Sequence, residues 1–189
     1  QDNFGSSLAP LDLSGIERRR SWGYTLSPAR SIWLNVDGHC HRNANSAEVA
    51  AIMKELKSFV NYAKNNPHPE NGANEWTIAC LTFYLGQTKL LREELRKFTG
   101  KESASSNFYI AGNAGSRLHI KLYTVDKFQG HEADVVFLSM VQTNRVGFMD
   151  NPNRLNVAIT RAKYQLVIVG KHCYFANQGD SEELSNLAN

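Results

Sequence analysis

Thr124-Val125-Asp126-Lys127-Phe128-Gln129-Gly130-His131-Glu132, with the apolar run Val135-Val136-Phe137-Leu138 close behind, is the first of two runs that organise this chain. The second is Arg154-Leu155-Asn156-Val157-Ala158-Ile159-Thr160-Arg161-Ala162-Lys163, followed by Leu166-Val167-Ile168-Val169-Gly170. Each polar cluster adjoins an apolar run of strand length, which predicts polar groups at strand edges. In open α/β sheets the carboxyl edge is where ligands bind. Function is therefore sought at these two clusters.

Working outward, the periodicity predicts strands at 31–36, 76–83, 118–125, 133–141 and 165–170. Residues 46–63 form the clearest helix, with Val49, Ile52, Met53, Leu56, Phe59 and Val60 on one face. Asn45 is its N-cap and Glu48 stands three positions on, a pairing akin to the capping box. Further helices are predicted at 85–98, inward at Leu91, Leu95 and Phe98, and at 153–163, inward at Leu155, Ala158, Ile159 and Ala162. The segments 64–75, 100–116 and 143–152 read as loops, and Ser181 as the cap of a short terminal helix. Strands alternating with helices and apolar on both faces give a mostly parallel sheet with helices on each side. The fold class is α/β.

The totals set bounds. A chain of 189 residues with 42% hydrophobic and 21% charged residues is a globular domain with a substantial core. A net charge of +3 permits a nucleic-acid partner without requiring one. Cys40, Cys80 and Cys173 are widely spaced with no CxxC pair, which favours a reducing compartment. His39-Cys40-His41 lacks a second Cys/His cluster to complete a tetrahedral site, so no metal site is assigned. No apolar run of membrane length and no signal-peptide pattern is present. Residues 1–30 read as a linker or N-terminal extension, loosely packed, with Arg18-Arg19-Arg20 beside Trp22 and Tyr24 open to nucleic-acid contact or to plain solvation. Residues 31–175 make the domain and 176–189 a tail, and the start at Gln1 reads as a cut end of something longer.

At the clusters themselves two readings stay open. Thr124, Asp126, Gln129 and Glu132, with Gly130 free to adopt positive φ, suit a bound anion and its metal-bound water. Equally, Asp126 caps a short helical turn and Glu132 is solvated. Arg154 and Arg161 lie two turns apart on the predicted helix, a spacing for gripping phosphate oxygens. The other reading pairs them with nearby carboxylates, and Lys163 merely finishes the helix. No Gly-x-x-x-x-Gly-Lys-Ser/Thr occurs, nor a strand ending in paired acids. Any nucleotide chemistry here is half supplied by this chain.

The run from Thr124 to Glu132 resembles motif V of superfamily 1B helicases, the group containing the nonsense-mediated-decay helicase and senataxin. Arg154 to Lys163 resembles motif VI of that group, and Leu81-Thr82-Phe83-Tyr84-Leu85-Gly86-Gln87 resembles motif IV. Asn45 and Glu48 also fit a family pattern, and the resemblance covers roughly residues 30–175. It implies a second RecA-like domain, a three-layer α/β/α unit, of an ATP-dependent helicase. ATP and Mg²⁺ would be bound mainly by a first RecA-like domain of the same polypeptide. Arg161 would be the arginine finger; Gly130 and Glu132 would sense the γ-phosphate side, with Gln87 on the nucleotide side and Arg154 supporting the cleft. Thr82, Thr124, Ser139 and Asn144 would lie along single-stranded RNA or DNA. The resemblance further implies an intracellular protein, cytoplasmic or nuclear, with no membrane partner, and this fragment alone would be inactive. Phe83 stands where the family usually has Pro, Thr88 and Gln142 where it often has Arg, and His131 where Arg is common. The rival class is a non-catalytic nucleic-acid-binding or interaction module that kept the fold. An unrelated receiver-like nucleotide-binding domain has no motif in its favour.

Overall fold

Strands that are apolar on both faces need cover on both sides, and the chain supplies it. The computed structural model describes residue 24 and residues 30–68, 70, 74–100, 105–143 and 152–176. Its elements are β1 (Ser31–Asn35), α1 (Ser46–Asn65), β2 (Glu75–Thr82), α2 (Leu85–Thr99), β3 (Asn107–Ala111), β4 (Arg117–Thr124), β5 (Ala133–Ser139), α3 (Pro152–Ile159), β6 (Ala162–Gly170) and α4 (His172–Ala176). The sheet order is β1-β6-β5-β2-β4-β3, parallel throughout except for β3 against β4. Ile52, Leu56 and Phe59 of α1 and Leu91 and Leu95 of α2 pack on one face against Ile78, Ile120 and Phe137. Leu155 and Ala158 of α3 and Phe175 of α4 cover the other face with Leu81, Val136 and Ile168. This is the three-layer RecA-like arrangement.

Three expectations need correction. The segment 100–116 is not all loop, because Phe108 and Ile110 alternate inward and build the antiparallel edge strand β3. The helix expected at 153–163 ends at Ile159, where Thr160 N–H and its hydroxyl both turn back onto the Asn156 carbonyl. Beyond it the sheet captures the chain: Ala162 pairs with Ala133, and the Arg30 guanidinium donates to the carbonyls of Ala162 and Lys163. Lys163 therefore belongs to β6 rather than to a helix end, and β6 starts earlier than 165. The third correction is at β5, which stops at Ser139 because Val141 turns away with φ 69. Within residues 1–30 the structure describes Tyr24, whose ring packs on Phe59 and Tyr62, and Arg30. The Arg18–Arg20 run, Ser181 and the C-terminal tail lie outside the described residues. Among the described residues no helix is long and apolar enough to cross a membrane.

The link from β1 to α1 meets the start of α2 at close range. Arg42 and Asn43 adopt φ 50 and 58, and the flanking His41 and Ala44 exchange both backbone hydrogen bonds, making a tight two-residue turn. A Cβ on Gly86 would stand 2.7 Å from the carbonyl oxygens of both Arg42 and Asn43. Backbone cannot yield as a side-chain tip can. Gly86→Ala is therefore expected to destabilise the chain by about 1–3 kcal/mol, read by guanidinium unfolding; an unchanged midpoint would show that this contact is looser than described.

Candidate functional site

The strand register separates the predicted residues into two groups at opposite ends of the sheet. Thr124, Thr82 and Ser139 end β4, β2 and β5 and stand in one row, paired Thr124 to Thr82 and Thr82 to Ser139. From Thr124 the chain must return to the start of parallel β5 on the far side of β2. It does so through residues 125–132, whose 3-10 turn buries Val125 and Phe128 against Ala79 and Leu81 of β2. Gly130 and Glu132 consequently sit at the opposite, N-terminal end of the strands, not at the carboxyl edge that the sequence suggested.

Arg161 lies at that same end. It occupies the turn between α3 and β6, so it does not share a helix face with Arg154. The Ala133 N–H donates to the Arg161 carbonyl at 3.0 Å, which sets Glu132 beside Arg161 in space. Arg161 Nε donates to the Val157 carbonyl at 3.0 Å, fixing the root of a half-exposed side chain. Among the described residues its two terminal nitrogens have no acceptor. Gly130 has φ 82, a left-handed conformation that suits glycine, and the exposed Gln129, Gly130, His131 and Glu132 form the open lip. Above them, Arg154 Nε meets Asp126 Oδ1 at 2.9 Å and ties α3 to the 3-10 turn. Asp126 thus pairs with an arginine.

The carboxyl edge is sealed rather than open. Thr82 is fully buried, its hydroxyl accepting from Tyr84 N–H at 3.3 Å. Ser139 is buried, donating to Glu48 Oε2 at 2.6 Å and accepting from Gln87 Nε2 at 2.8 Å. Gln87 also brackets Asn45, accepting from its N–H at 2.7 Å and donating to its carbonyl at 3.1 Å. Gln87 is therefore an internal clasp, at the other end of the sheet from Gly130, Glu132 and Arg161. Of the row, Thr124 alone is part-exposed. Asn144 lies outside the described residues.

Glu48 is the residue that sequence reasoning undervalued. The Asn45 cap forms, its side chain accepting from Glu48 N–H at 3.3 Å, but the Glu48 carboxylate does not fold back to the cap N–H. It reaches Ser139 and the Val141 N–H, which lies 3.0 and 2.9 Å from its two oxygens. The signal was available: Glu48 lies four positions before Ile52, on the buried stripe. Burial pushes its carboxyl up from the ordinary 4.5 to about 7, against the lowering effect of the hydrogen bonds from Ser139, Val141, Met140 and Asn45. Cys80 is buried with its thiol pushed up to about 12, and is inert.

Among the described residues no group of three His, Cys, Asp or Glu can hold a metal ion. Arg161 and Glu132 flank the Ala133–Arg161 backbone bond, and the Arg161 guanidinium is held at its root by Val157. Layers and strand order give a three-layer α/β/α domain with a mostly parallel sheet. The chain belongs to the family described as an AAA domain, which matches residues 24–173, and within it to the superfamily 1B helicases. It is 44% identical over 139 residues to regulator of nonsense transcripts 1 homolog of Drosophila melanogaster, covering 71% of this chain and 10% of the relative. To helicase required for RNAi-mediated heterochromatin assembly 1 of Schizosaccharomyces pombe it is 37% identical over 103 residues, covering 53% of this chain and 9% of the relative. A solved structure, the HK97 bacteriophage large terminase, aligns with TM-score 0.48 and 13% identity over 83% of this chain and 31% of that one. The chain spans about a tenth of the length of these curated relatives.

The raised carboxyl of Glu48 has a sign that can be checked. Its folded value, about 7, lies above 4.5, so the folded chain holds the proton more tightly than the unfolded chain. The resulting stabilisation is fully present below 4.5 and is lost as pH rises through about 7. Relative to Glu48→Gln, which cannot titrate, the chain should lose on the order of 3 kcal/mol between pH 4.5 and pH 8. Guanidinium unfolding of both across that range reads the difference; a gap independent of pH would contradict it.

Proposed function

We propose that this chain is the second RecA-like domain of an ATP-dependent RNA or DNA helicase, completing an ATP site whose phosphate loop and Mg²⁺ ligands belong to a first such domain of the same polypeptide. The observation that carries this reading is the juxtaposition of Glu132 and Arg161 by the Ala133–Arg161 backbone bond, with the guanidinium tips left without an acceptor among the described residues. Bound there, ATP would supply the phosphoryl group, with its Mg²⁺ held mainly by the first domain and offsetting part of the phosphate charge. Arg161 donates to the γ-phosphate oxygens as they gain charge, and its Nε bond to Val157 holds it ready. Gly130 lets the backbone approach, Glu132 lines the nucleotide side, and the Asp126–Arg154 pair ties α3 to the 125–128 turn. Thr124, at the opposite end, faces the nucleic-acid side with Ser139 to Thr143 at the exit of β5. Phosphate contacts of that kind do not distinguish RNA from DNA.

The same reading makes the protein intracellular and the isolated chain inactive. In the full-length protein Arg161→Ala should lower ATP turnover by roughly 10³–10⁵, while binding of a fluorescent ATP analogue changes little. Turnover equal to the parent protein would instead favour the non-catalytic module.

A further inference from the structure

Two carboxylates are fully buried among the described residues. Asp134 faces His68 at 3.2 Å, whereas Glu48 has no cation, and no charged group contributes to its shift. What the elements around Glu48 bring to it is neutral: Asn45 from the cap, Gln87 from α2, and Ser139 with the main chain of Met140 and Val141 from the exit of β5. The titratable residues of the β1–α1 loop are Asp37, His39, His41 and Arg42, all exposed, and part-buried Cys40, and none of them contributes to the Glu48 shift. A lone buried carboxylate is costly, and here its partner is a strained backbone.

That strain is at Val141. Its φ of 69 and the 2.8 Å bond from Gln142 N–H to the Met140 carbonyl describe the rare, strained form of γ-turn, on a β-branched residue. Such backbone costs about 1–3 kcal/mol and persists where neighbours over-determine it. The neighbours are all present. Glu48 takes the Val141 N–H with both oxygens, Asn45 Nδ2 reaches the Val141 carbonyl at 3.5 Å, and Gln142 Nε2 donates to Asn43 Oδ1 at 3.2 Å. One residue further, Cys40 N–H donates to Thr143 Oγ1 at 3.2 Å. The turn points the chain out of the central strand at the end of the row that holds Thr124.

We propose that Glu48 is a positioning residue for nucleic-acid binding: its carboxylate holds the strained turn at Val141, and so sets the course of the chain through part-exposed Thr143 at the carboxyl edge, the side on which part-exposed Thr124 would meet nucleic-acid phosphates. This rests on the helicase reading. An ionised carboxylate is acceptor-only and serves Val141 N–H and the Ser139 hydroxyl together. Protonated, one oxygen becomes a donor facing Ser139, which already receives Gln87 Nε2 and must send its own proton elsewhere. Val141 N–H then keeps one acceptor, Oε1 at 3.0 Å, in place of two, so the hold on the turn weakens and the grip loosens as pH falls.

The test uses the intact polypeptide and fluorescence anisotropy with a labelled single-stranded oligouridylate or oligothymidylate between pH 6 and pH 8.5. The parent protein should lose affinity by about tenfold on acidification. Glu48→Gln, an isostere of the protonated acid, should be flat and sit on the acid limb of the parent curve. Val141→Gly, which makes the turn without strain, should flatten the profile near the alkaline limb, and it keeps the test available if Glu48→Gln does not fold. A Glu48→Gln profile parallel to the parent's, or a Val141→Gly profile that keeps the full pH step, overturns the inference alone. A folded parent protein that binds neither oligonucleotide at any pH overturns the helicase reading and the inference with it.

Discussion

Residues 125–132 have to carry the chain from the end of β4 to the start of a parallel β5 across the face of β2, and they do it with a single 3-10 turn and no α-helix. Most of the functional geometry depends on this constraint. A crossover of that length can only lie flat on the sheet, so Val125 and Phe128 are buried on β2 and the polar residues between and after them are turned outward. One contiguous sequence motif is thereby stretched over the whole height of the domain. Thr124 stays at the carboxyl edge, Asp126 meets Arg154 midway, and Gly130 and Glu132 arrive beside Arg161. A single peptide segment links the two ends of the sheet, a direct physical route for coupling between them.

The carboxyl edge obeys a different constraint. There α1, α2 and β5 converge, and the polar groups of Asn45, Glu48, Gln87 and Ser139 satisfy one another out of water. The knot fixes the exit of the central strand at the expense of burying a carboxylate without a cation. Ionising Glu48 weakens the fold while tightening the turn at Val141. Stability and the hold on the Val141 turn therefore pull in opposite directions across neutral pH.

Layer architecture was legible in the sequence because every central strand is apolar on both faces and every long helix carries one apolar stripe. Strand β3 was obscured by the Gly- and Ser-bearing stretches around it, although Phe108 and Ile110 alternate as a strand should. The end of α3 was misplaced because Ala162 and Lys163 suit a helix locally; only pairing with Ala133 and the reach of Arg30 decide otherwise. Arg161, Gly130 and Glu132 stood out as site candidates from residue type and spacing. Their position could not be read, since the path of 125–132 is fixed by strand order. Ser139 and Gln87 look available in sequence but are occupied by a network whose members come from three separate elements, and the Thr82 hydroxyl is taken by the Tyr84 N–H.

The central claim is that this chain carries one wall of an ATP site and needs a second. It is tested most directly by measuring ATP turnover, with and without single-stranded nucleic acid, for the chain by itself and for the intact polypeptide that contains it. The account predicts turnover in the intact polypeptide, raised by nucleic acid, and none in the chain alone. Turnover by the isolated chain, or none by a folded intact polypeptide under either condition, would contradict it.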